Sequence, residues 1–115
     1  MASSVLSPPA KDSGGRHVLD VFVQCALYEE AEFVRNIFLG AREPGDGKFL
    51  RLSMEQDPIF FLEMTNKRNE QLKIGIGWQR APGMNETSNY CARVRRSIRM
   101  DYWFMCGILA GFEEL

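Results

Sequence analysis

The stretch LKIGIGWQ, residues 72–79, alternates without a break. On an extended chain Leu72, Ile74, Ile76 and Trp78 fall on one face, and Lys73, Gly75, Gly77 and Gln79 on the other. A period of two over eight residues describes a strand half buried on a core. The two glycines bare the backbone of the second, polar face. They predict a bulge or the close approach of another group there.

Reading outward from this strand, the neighbouring segments are also extended. Residues 58–65, PIFFLEMT, form an apolar run entered through proline, which needs no ladder donor at a strand's first position. Residues 66–71, NKRNEQ, have no apolar member and read as an exposed turn or one polar helical turn. Phe49, Leu50 and Leu52 beside Arg51 and Ser53 predict a shorter, partly exposed strand. Nearer the N-terminus, residues 17–27, HVLDVFVQCAL, are β-branched and aromatic and read as another strand.

Two segments are less direct. In residues 28–42 the apolar groups Leu27, Ala31, Val34 and Phe38 share one helical face. Glu29, Glu30 and Glu32 would then lie in the first turn, with Arg42 just past the end, as the helix dipole favours. A strand through residues 33–39 is the competing reading, and the helix is preferred. Residues 85–89 read as a cap or short helix. Residues 93–100 alternate, with Val94, Ile98 and Met100 on one side and Arg93, Arg95 and Arg99 on the other, while Arg96 breaks the pattern. This predicts a basic strand. Asp101 marks a tight turn, and residues 102–109 are apolar on both faces, as in a central or partner-covered strand.

Together these segments predict an α+β, mainly β fold: a small antiparallel sheet or half-barrel of five to seven strands with one or two helices packed on it. The Ser-, Pro- and Gly-bearing residues 1–16 read as a flexible lead, and residues 17–115 as a single globular domain. Apolar residues make up 45% and charged residues 25% of the 115, the balance of an ordinary globular chain rather than a disordered one.

The inventory for chemistry is thin. There is one histidine, His17, read as a surface residue where order begins. The three cysteines, Cys25, Cys91 and Cys106, lack the close pairing of zinc ligands, and Cys25 and Cys106 read as core packing. Gly75 and Gly77 lack the third glycine and helix start of a phosphate cradle. No catalytic set, metal site or cofactor is expected, and the chain reads as a non-enzyme. With no signal-peptide core and no apolar run near the roughly 20 residues of a bilayer span, the expected location is cytoplasmic or nuclear, with reduced thiols.

Charge and aromatics supply the departures from average. The net charge is −1, yet residues 89–101 hold four arginines against one aspartate, a local +3. Arg93, Arg95, Arg96 and Arg99, with Tyr102 and Trp103, are therefore the candidate binding residues. Arginine forks grip carboxylates and phosphates, and adjacent aromatics suit protein hot spots or base stacking. The bland reading is a solvated face whose arginines pair with glutamates 29–32 or 113–114. The aromatic residues, 11% of the chain, exceed what so short a domain readily covers. The sequence thus points to a non-catalytic protein-interaction or assembly module, a small subunit or self-associating domain. The alternative is a small nucleic-acid-binding domain built on the arginine segment. A membrane surface is disfavoured, and no small-molecule substrate is indicated.

Overall fold

Two crossovers running in opposite directions organise the protein. The computed structural model describes residues 6–40, 49–81 and 83–106. Its elements are β1 (His17–Cys25), α1 (Tyr28–Gly40), β2 (Leu50–Met54), β3 (Asp57–Thr65), β4 (Gln71–Trp78), α2 (Met84–Ser97) and β5 (Ile98–Cys106). They form an α+β, mainly β fold whose five strands lie in the order β2-β3-β4-β1-β5. The expected antiparallel pairing holds for β2-β3 and β3-β4, whereas β1 runs parallel to both β4 and β5, so the sheet is mixed. The connection β1-α1-β2 crosses the sheet one way and β4-α2-β5 crosses it the other. Crossovers of the same hand moving in opposite directions place their helices on opposite faces, and that is the arrangement found.

Each face has its own core. On the α2 side, Phe22, Ile59 and Phe61 pack with Tyr90, Val94 and Ile98. On the α1 side, Val23, Phe60, Leu62, Ile74 and Ile76 pack with Ala31, Val34 and Phe38. The consecutive pair Phe60 and Phe61 thus fills both cores. β4 was expected to be polar on its glycine face, but that face is buried as well. A Cβ on Gly77 would run into the Tyr90 hydroxyl and come within 2.7 Å of Phe22 Cζ. The close approach predicted for the glycines is the seating of Tyr90 and Phe22 on bare backbone.

The helices have local causes. In α1 the Glu30 carboxylate accepts the Ala26 and Leu27 N–H groups at 3.0 Å each, capping donors that the helix leaves unpaired. Its buried stripe is the predicted one. α2 overturns the basic-strand reading of residues 93–97. Tyr90, Val94 and Ile98 recur every four residues, with Glu86 in the first turn and Arg95 and Arg96 in the last. The chain passes from helix to strand with no linker, and the Ile98 N–H still bonds Val94 O.

β1 and β5 share an irregularity. Leu19 and Phe22 reach the same core although three residues apart, and Met100 and Trp103 do likewise in the paired strand. Strict alternation therefore breaks between them in both strands. Asp101, expected at a tight turn, sits within β5 at this break. On β1 its counterpart Asp20 accepts the Lys73 N–H at 2.7 Å. The segment before β1 is held as well: Ala10 O accepts the Val18 N–H of β1, and Leu6 packs against the α2-side core.

Candidate interaction surface

The six residues singled out by sequence do not form one patch. Arg93, Arg95 and Arg96 lie on α2, and Arg99, Tyr102 and Trp103 on β5. Trp103 packs toward the α2-side core and the Arg95 guanidinium lies 5.6 Å from its ring centre. Tyr102 pairs with Val21, which packs on the α1-side core, so it projects from the other face. Arg99, between Ile98 and Met100, shares that second face.

Two of the four arginines are taken up by carboxylates. Asp57 opens β3 and is 2% exposed. Its two oxygens accept Arg80 Nε at 2.7 Å and Arg93 Nε at 2.6 Å. Arg93 also reaches Glu86 at 3.0 Å. Burial opposes the Arg93 charge, but its bonds to Asp57 and Glu86 outweigh that and raise its pKa. Arg96 grips Glu55 in the β2-β3 turn through both Nε, at 2.8 Å, and Nη2. Of the glutamates expected to pair with these arginines, Glu32 lies instead 3.8 Å from Arg35, and Glu30 caps the start of α1. Residues 113–114 fall outside the described residues. Neither Asp57 nor Glu55 was expected to hold an arginine.

A buried amide chain was also missed. The Trp103 indole N–H donates to Gln24 Oε1 at 3.0 Å, and Gln24 Nε2 donates to Gln79 Oε1 at 3.1 Å. The Thr87 hydroxyl donates to the same Gln79 oxygen, and Gln79 Nε2 donates to Ala81 O. This chain ties β5, β1, the end of β4 and α2 together. Its signal was present: Gln24 is the one polar residue in the apolar run 21–27.

The aromatic surplus largely resolves into packing. Tyr28, Phe49, Phe60 and Trp78 form an edge-on cluster under α1, capped by Arg35 and Arg51. What remains uncovered among the described residues is specific. Tyr102 and Phe104, stacked at 6.4 Å, are 63% and 54% exposed, and Met105 is 63% exposed. All three sit on β5, expected as a central or partner-covered strand and found at the edge of the described sheet. The α1-to-β2 crossover moves away from β5, so α1 leaves that end of its face bare. Phe33 and Ile37 are exposed on α1 itself. Tyr28, Glu32 and Arg35 lie on the flank of α1 toward β2 and β3. Phe33 and Ile37 therefore lie on the flank toward β1 and β5. Phe33 and Ile37 on α1 and Tyr102 and Phe104 on β5 are thus exposed on the same side of the sheet, while Met105, the register partner of Gln24, faces the other.

His17, expected on the surface, is half buried, and its Nδ1 has no partner among the described residues. Burial lowers its pKa, Lys11 adds to the effect, and a bond to the Ser53 backbone opposes it. Cys25 is buried as expected, whereas Cys106 is exposed rather than core. Among the described residues no three His, Cys, Asp or Glu side chains gather as a metal site, and no helix is long and apolar enough to cross a membrane. No family model, no curated protein and no solved structure matches the chain.

Proposed function

We propose that this domain is a non-catalytic interaction module that docks a protein partner along β5, with the apolar flank of α1 beside it. One observation carries the reading: β5 is a nine-residue edge strand whose second half presents Tyr102, Phe104 and Met105 to solvent. An unpaired strand edge offers a row of backbone donors and acceptors to an added strand, and aromatic side chains supply the anchors. An assembly partner and a second copy of the chain are both consistent with such an edge. The nucleic-acid alternative has less support. Arg93 and Arg96 already hold carboxylates, and the remaining Arg95 and Arg99 face opposite sides of the sheet.

The test is a bait comparison. The chain and a Tyr102→Lys/Phe104→Lys variant, both verified as folded by circular dichroism, are used to purify bound proteins and are run by size exclusion with light scattering. A stoichiometric partner or dimer that the variant loses supports the proposal. A monomer with no partner, or a partner retained by the variant, overturns it. Nucleic acid held with a steep salt dependence favours the alternative.

A further inference from the structure

We propose that Cys25 and Cys106 are a disulfide-forming pair that fastens the end of β5 to β1. The two residues are register partners on adjacent parallel strands. Neighbouring strands lie about 4.8 Å apart, within the roughly 4.4–6.8 Å that a disulfide spans between Cα atoms. Register partners also project from the same face, and the Cys106 side chain is close enough to help raise the pKa of the Cys25 thiol. Cys91 is placed differently: its thiol lies on α2 and donates to Gln24 Oε1 at 3.6 Å. The pairing is invisible in sequence, where 81 positions separate the two residues.

The order of reaction follows from access. Cys106 is exposed and Cys25 is buried. Burial, with Cys106 and Glu30 nearby, pushes the Cys25 thiol up to about 12. Cys106 is therefore the entry point for an oxidant such as oxidised glutathione. Its thiolate attacks one glutathione sulfur, forming a mixed disulfide and releasing one glutathione thiolate. Cys25 then loses its proton to solvent and attacks the Cys106 sulfur, and the second glutathione leaves as a thiolate. The two protein thiols give up two electrons and two protons, and the glutathione disulfide becomes two thiols.

The bond would close the strand pair at the end nearest the exposed aromatics. It would hold β5 flat against β1 while leaving its outer edge open. This inference stands on the β1-β5 register and does not depend on β5 docking a partner.

The test is peptide mapping. The full chain is incubated with oxidised glutathione, quenched in acid, unfolded, alkylated with iodoacetamide and analysed by mass spectrometry. The expected product joins the Cys25 and Cys106 peptides with the loss of two hydrogens, while Cys91 is alkylated. Cys91→Ser should form the same link, and Cys106→Ser should leave Cys25 and Cys91 both alkylated. Hydrogen exchange of the β5 amides should slow on oxidation. Glutathione retained on Cys106 with Cys25 free, a Cys106-linked dimer, or a link through Cys91 would each overturn the proposal.

Discussion

Replacing Asp57 by asparagine tests whether the arginine segment is committed to the fold. The carboxylate is 2% exposed and takes Arg93 Nε at 2.6 Å and Arg80 Nε at 2.7 Å. Asparagine keeps the shape but removes the charge and turns one acceptor into a donor facing a donor. Breaking a buried pair from one side costs about 3–5 kcal/mol, because the remaining charge stays desolvated. Two features lower that figure. Arg93 keeps Glu86 at 3.0 Å, and Arg80 is half exposed, so water replaces much of what it loses. The expected loss is therefore about 3 kcal/mol, which is about 12 °C in Tm for a domain of this size. Arg80→Ala should cost at most about 1 kcal/mol. Arg93→Ala, which strips Asp57 of its better-buried partner, should cost about 2–3 kcal/mol. Urea unfolding followed by tryptophan fluorescence measures all three. An Asp57→Asn loss under about 1 kcal/mol, or equal losses for the two arginine variants, would refute the reasoning. Arg93 would then be an available surface cation, and the case for the arginines as a binding group would revive.

Three further outcomes are expected. Gly77→Ala should destabilise by about 1–3 kcal/mol through overpacking, and by less in a Tyr90→Phe background, because the Tyr90 hydroxyl is the nearest obstacle; a double-mutant cycle with no coupling would contradict this. Trp103→Phe should cost about 1–2 kcal/mol by leaving Gln24 Oε1 without its indole donor, as denaturant midpoints will show. His17 carries a lowered pKa in the folded state, so the unfolded chain takes up a proton first as pH falls through about 6.5. Stability should drop across that range and level off below the folded value, and His17→Gln should flatten the drop; an unchanged slope would assign it to other groups.

The legible part of the fold was the part with a single period. Residues 72–79 satisfy only a period of two, and Leu27, Ala31, Val34 and Phe38 only a helical one, so both elements emerged from side-chain spacing alone. Val94 and Ile98 are four apart and satisfy both periods, which is why α2 read as a strand. Tyr90, four residues earlier, fits both periods as well; Cys91, three before Val94 and turned to Gln24, fits only the helical one and was the available signal. Parallel pairing of β1 was not legible, because a crossover leaves no local mark. The fate of the arginines was not legible either: Asp57 and Arg93 are 36 residues apart, and only the return of α2 across the β2-β3 hairpin brings them together. Splitting of Arg99 and Tyr102 from Arg95 and Trp103 depends on the face and register of β5. The shared break in alternation at residues 20 and 101 likewise appears only when β1 and β5 are paired.

The two edges of this sheet are treated differently, and that contrast gives the interaction reading its force. Open edges invite pairing with other chains, and proteins blunt them with short strands and charge. β2 is blunted: it has five residues, its outward Arg51 lies over Phe60, and Arg96 clamps the adjoining turn through Glu55. β5 is blunted only in its first half, where Arg99 and Asp101 are exposed. Beyond the break in alternation its exposed groups are aromatic or apolar, and among the described residues neither core takes up Tyr102, Phe104 or Met105. The neighbouring helix exposes Phe33 and Ile37 on its flank toward β5 and lays Arg35 over Phe49 on its flank toward β2. A sheet that merely tolerated an edge would gain by placing lysine at position 102 or 104, because both sites face solvent and neither fills a core. Tyr102 and Phe104 keep their rings there, stacked on one another on the outermost strand of the described sheet, and that placement supports the proposed docking along β5.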